Sequence, residues 1–125
     1  MQQTIESKST LVLGASPNPV RYSWKAVGDL RRYGHEVIAV GNRAGRIADV
    51  NIQMNVPEGQ KVHTVTLYMN AQRQKDYYEH ILALQPQRII FNPGAENPEL
   101  ERLATEKGIE TVEGCTLVML SIGNY

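Results

Sequence analysis

Short apolar runs, each closed by a glycine or asparagine, alternate along this chain with stretches of helical periodicity. Thr10-Leu11-Val12-Leu13 is a brief aliphatic run that stops at Gly14, the pattern of a strand buried on both faces. Trp24, Val27, Leu30 and, less tightly, Ala26 recur at helical spacing, predicting a helix from about Tyr22 to Tyr33 with Gly34 as its stop. A second strand is predicted over Glu36 to Val40, running into Gly41-Asn42-Arg43. Strand, helix and strand in this compass make a βαβ unit with parallel strands and a right-handed crossover.

The segment from Ala44 to Lys61 is less regular, and its Ile47, Val50, Ile52 and Val56 fit either a short strand or packing beneath a loop. Val62 to Met69 alternates and predicts a third strand. A helix is predicted from about Gln72 to Leu84, with Tyr77, Ile81 and Leu84 inward and Pro86 just beyond its end. Arg88 to Phe91 is the fourth strand, ending in Asn92-Pro93-Gly94. Asn97 then caps a helix that has Pro98 at its first position and runs to Gly108. Glu110 to Val112 is a short fifth strand, and Thr116 to Ser121 a closing helical turn or two. Such alternation predicts an α/β fold: one Rossmann-like, doubly wound sheet of about five mostly parallel strands with helices on both faces. This domain is expected over residues 9–125, after a polar leader at residues 1–8.

Composition narrows the partners. The 125 residues carry 13 Lys+Arg against 13 Asp+Glu, so no global field points to nucleic acid or to a membrane surface. No apolar run approaches the roughly 20 residues of a membrane span, and MQQTIESKST lacks the apolar core of a signal peptide. Cys115 is the only cysteine, which rules out an intramolecular disulfide and disfavours a cysteine-based metal site. A cytoplasmic protein is the expectation, with a homodimer or a partner enzyme left open.

In a doubly wound sheet, ligands gather beyond the carboxyl ends of the strands. Here those ends are Gly14-Ala15-Ser16, Gly41-Asn42-Arg43, Tyr68-Met69-Asn70 and Asn92-Pro93-Gly94, all rich in small and polar residues. The first is a strand–turn–helix phosphate cradle that lacks the second and third glycines of the dinucleotide fingerprint G-x-G-x-x-G. Gly14 permits a sharp turn, backbone N–H groups there can face an anion, and Ser16, Ser23 and Arg21 add donors and charge. Read blandly, the same residues make only a tight turn, with Ser23 as the helix N-cap. An NAD site wants an acidic residue near Val40 to Asn42; the chain has Asn42 and Arg43, with Arg46 beyond. That end suits a ligand with an extra phosphate on its ribose, and both NADP and coenzyme A qualify.

These segments resemble the CoA-binding domain family, whose larger relatives include the N-terminal domain of the succinyl-CoA synthetase α-subunit. The resemblance is carried by GAS…RYS at the first turn, GHEVIAVGN at the second strand, Asn92-Pro93-Gly94-Ala95-Glu96-Asn97, and Gly108-Ile109 through Cys115. Two places depart from the family pattern. Ala39-Val40-Gly41-Asn42 replaces a Pro-Val-Asn-Pro segment, and Asn92 stands where glutamine is common. The resemblance implies that coenzyme A or an acyl-CoA is the cofactor, with Gly14, Ala15 and Ser16 around the pyrophosphate and Arg21 and Ser23 supporting the phosphates. It further implies that Asn42 and Arg43 lie beside the adenosine and its 3′-phosphate, while Asn70, Asn92, Pro93 and Gly94 border the pantetheine.

No catalytic constellation emerges. His35 and His80 are expected at the surface, Cys115 as a buried structural thiol, and Glu96 and Glu99 as complements to a helix N-terminus. A binding protein without chemistry of its own is therefore expected. The alternatives are an NADP-dependent oxidoreductase fragment and a regulatory module that has lost its ligand.

Overall fold

The structure, a computed structural model, describes residues 7–125. Strands β1 (Thr10–Leu13), β2 (Val37–Val40), β5 (Thr64–Leu67), β6 (Arg88–Phe91) and β7 (Glu110–Glu113) are the five that periodicity predicts. They pair in parallel, and two more strands extend the sheet to seven. The irregular segment supplies both. β4 (Val50–Gln53) lies parallel to β2, and β3 (Arg46–Ile47) folds back on it antiparallel, sealing the edge as Ile47, Val50 and Ile52 go under. The sheet order is β3-β4-β2-β1-β5-β6-β7, so the direction of winding reverses at β1.

Helices cover both faces, which is why the central strands read as unbroken apolar runs. On one face Val12 and Ala39 of the sheet meet Val27 and Leu30 of α1 (Tyr22–Arg32) and Leu120 of α5 (Thr116–Ile122). On the other, Leu11, Leu13, Val65, Leu67, Ile89 and Phe91 meet Ile81 and Leu100. Those two belong to α3 (Tyr78–Ala83) and α4 (Pro98–Glu106). Each large side chain so buried contributes roughly 1.5–3 kcal/mol.

Three local outcomes differ from the periodicity. The helix predicted from Gln72 to Leu84 is broken into α2 (Ala71–Gln74), a 3-10 turn (Lys75–Tyr77) and α3. Its first turn starts early because Asn70 Oδ1 accepts the Arg73 N–H at 3.0 Å and caps it. His35, expected at the surface, is only 5% exposed. Its ring packs on Tyr125 and its Nδ1 accepts the Lys8 N–H at 3.0 Å. Of the predicted leader, residues 1–6 lie outside the described residues, whereas Ser7 and Lys8 are tied to the start of β2 through Glu36 and His35. Among the described residues no helix is long and apolar enough to cross a membrane.

Candidate functional site

Beyond the carboxyl ends of β1, β2, β5 and β6 lies a cavity of about 540 Å³, within the usual range for small-molecule sites. It straddles β1, where the winding reverses, as ligand crevices of such sheets do. All the residues predicted from sequence to hold a ligand line it, except Asn92.

The floor is the turn from β1 into α1. Gly14 N–H and Ala15 N–H both donate to the Val40 carbonyl, at 2.8 and 2.9 Å, which bends the chain hard against the end of β2. Gly14 has φ +96°, and a Cβ there would lie 2.9 Å from the Tyr68 carbonyl oxygen. The glycine is therefore required by the end of β5 as well as by its backbone angle. Ser23 is buried, and its Oγ accepts the Ser16 N–H at 3.2 Å, closing the loop on itself. Ser16 Oγ in turn accepts the Asn18 N–H at 3.1 Å.

Arg21, and not Ser23, occupies the N-cap of α1, and no side chain caps that helix. The N–H groups of Tyr22 and Ser23 have no hydrogen-bond acceptor among the described residues, and no acidic residue lies in the first turn. They open the first turn of an 11-residue helix, where the dipole favours an anion.

Asn42 and Arg43 form the wall on the β2 side, and both are exposed. Arg46 is turned away, its Nε donating to the Ala48 carbonyl at 3.1 Å. On the other side of β1 the wall is Tyr68, Met69, Asn70 and Arg73 after β5, with Pro93, Gly94 and Ala95 after β6. Among the described residues no aspartate or glutamate lines the cavity, whereas Arg21, Arg43 and Arg73 do.

Asn92 sits behind this wall at 2% exposure. Its amide donates to Thr66 Oγ1 (2.7 Å) and the Leu67 carbonyl (2.9 Å), and its Oδ1 accepts the Thr116 N–H (2.9 Å). It locks β6 to β5 and to the start of α5, so its part is to position the wall. Gln74 acts similarly. Fully buried, it donates to the carbonyls of Met69 and Ala95, both at 2.8 Å, and accepts from Asn97, which joins the two loops of the distal wall. The periodic pattern marks Gln74 only as a polar helix position, so nothing local reveals this role. Tyr68 reaches inward beside Thr66 and Thr116, which bond to each other, and burial pushes its phenol up from its ordinary value. Cys115, half-buried before α5, lies outside the cavity wall. Glu96 and Glu99 are engaged with the Gly94 N–H and the Tyr78 hydroxyl.

The family model for the CoA binding domain matches residues 8–121, which take in all of this cavity. The chain belongs to the CoA-binding domain family. A solved structure described only as that of an uncharacterized protein is 50% identical, covering 97% of this chain and 100% of its own, with a TM-score of 0.89. A solved structure described as cell-free ID.343 from Thermus thermophilus is 22% identical, covering 95% of this chain and 91% of its own, with a TM-score of 0.84. A hypothetical protein from Pyrococcus horikoshii OT3 is 20% identical, covering 93% and 83%, with a TM-score of 0.84. The two distant structures share the fold. Among curated proteins none matches.

The donor set fits the family's cofactor. Free N–H groups at the α1 start, hydroxyls at Ser16 and Ser23, and arginines on both sides of the turn suit a ligand with separated phosphates. The small residues Gly14, Ala15 and Gly94 leave room for its chain.

Proposed function

We propose that this protein binds coenzyme A or an acyl-CoA in the cavity over β1, and that it holds the cofactor without transforming it. The carrying observation is the pairing of unmatched donors with an absence of acids. The α1 N-terminus and three arginines face one cavity that no carboxylate lines among the described residues, in a member of the CoA-binding domain family. The pyrophosphate takes the Gly14–Ser16 turn and the N–H groups of Tyr22 and Ser23, with Arg21 adjacent. Each charge-assisted hydrogen bond so formed contributes roughly 1.5–3 kcal/mol. Asn42 and Arg43 serve the adenosine half with its 3′-phosphate, and the pantetheine runs past Asn70, Pro93 and Gly94. Bound CoA supplies a thiol that carries an acyl group. On this reading the side chains around it position the cofactor.

Calorimetric titration with CoA and with dephospho-CoA, which lacks the 3′-phosphate, tests this directly. CoA is expected to bind, and dephospho-CoA to bind more weakly. Absence of binding by either would sink the proposal, and equal binding would remove Arg43 from the phosphate role. NADPH in the same assay is expected to give no heat.

A further inference from the structure

Four of the five arginines outside the cavity wall are occupied. Arg31 pairs with Asp49, Arg32 with Asp29, Arg46 bonds to a carbonyl, and Arg88 bonds to Thr64 within the core. Arg21, Arg43, Arg73 and Arg102 have no side-chain partner among the described residues, and the first three of these line the cavity. Two of those three are accounted for by a CoA molecule laid across β1, because its charges lie at the pyrophosphate and the 3′-phosphate. The third is not. Arg73 stands in α2, on the β5 side of the winding reversal, whereas Asn42 and Arg43 stand on the β2 side. The adenosine half of a ligand in such a sheet lies on the β2 side, so the other half extends toward β5 and β6. In CoA that half is the pantetheine, which carries no charge.

The position of Arg73 is also held firmly. Its backbone N–H is capped by Asn70 Oδ1, and the next residue, buried Gln74, ties this turn to both loops of the distal wall. A free guanidinium on a braced turn, in a cavity that no acid among the described residues lines, calls for an anion on the ligand.

Resting on the CoA reading above, we propose that the cavity prefers an acyl-CoA whose acyl group ends in a carboxylate, and that Arg73 is the residue that recognises it. The test is calorimetric titration of the whole protein with two matched pairs: malonyl-CoA against propionyl-CoA, and glutaryl-CoA against pentanoyl-CoA. Members of each pair have the same carbon count and differ in the terminal carboxylate. The carboxylate-bearing member of at least one pair is expected to bind about fivefold tighter, what one partly exposed ion pair supplies. Arg73→Gln is expected to bring that ratio to near one, and Arg73→Lys, which keeps the charge, to restore part of it.

Equal affinities within both pairs would overturn the inference while leaving CoA binding intact. A loss of affinity in Arg73→Gln that is the same for both members would also overturn it, assigning Arg73 to the common CoA moiety. Failure of every CoA species to bind would overturn the CoA reading itself. Far-UV circular dichroism on each variant separates these outcomes from misfolding.

Discussion

Gly41 lies against the carbonyl oxygen of Ala15 so closely that a Cβ at Gly41 would overlap it. The end of β2 thereby supports the turn of β1 from beneath, on the same side where Val40 accepts the N–H groups of Gly14 and Ala15. The departure from the family's Pro-Val-Asn-Pro segment is thus a fitted contact under the proposed phosphate cradle. Gly41→Ala should displace the turn, lowering stability by roughly 1–3 kcal/mol as overpacking does. CoA affinity should fall with it. Urea denaturation and calorimetry on the same preparation check both effects, and an unchanged affinity would separate this contact from ligand binding.

Asn92 uses its whole amide inside the protein, so its removal should act on stability before binding. Asn92→Ala leaves the Thr116 N–H and the Leu67 carbonyl short of a buried partner. Stability is expected to drop by about 1–3 kcal/mol, read from the urea midpoint. At temperatures where the variant remains folded, its CoA affinity should stay closer to the parent than that of Arg21→Gln.

Arg43 is exposed and, beside Asn42, is the cation that the described residues bring to the β2 wall, Arg46 being turned away. Arg43→Gln should lower affinity for CoA about fivefold, the scale of one exposed ion pair. Affinity for dephospho-CoA should stay where it was. Parallel titrations settle it: a loss shared by both ligands places Arg43 elsewhere than the 3′-phosphate.

His35 makes stability depend on pH. Burial, reinforced by the charges of Lys8, Arg88 and His63, holds its pKa below the ordinary value of 6.5. The unfolded chain therefore takes up this proton first as pH falls. The stability due to neutral His35 is complete above about pH 6.5 and is lost as pH drops through that value toward the folded pKa. Its Nδ1 must stay unprotonated to accept the Lys8 N–H. Urea midpoints at pH 7.5 and 5.5 should fall further apart in the parent than in His35→Gln, which keeps an acceptor and removes the titration. Equal spacing in the two proteins would assign the pH dependence to other groups.

The elements of this fold were legible because their signals are local. Aliphatic runs ending at Gly14, Gly41 and Asn92, and helices stopped by Gly34 and Gly108, are set by neighbours a few residues away. The turn at Gly14–Ser16 and the polar strand ends were likewise readable as one side of a crevice, since a parallel sheet carries all its carboxyl ends to the same edge. The family could be recognised on the same segments.

What required the tertiary structure are outcomes decided between residues far apart in the chain. Ile47 and Ile52 became strands only by pairing beyond β2 at the sheet edge. His35 went under because Tyr125 covers it, and Asn92 turned inward because Thr66, Leu67 and Thr116 meet there. Arg73 reached the cavity wall because Asn70 started a short helix early and buried Gln74 fixed it against the loop after β6. Periodicity reports which residues prefer to be buried. It carries no information on which distant donor a buried acceptor will find, and that choice shaped the site.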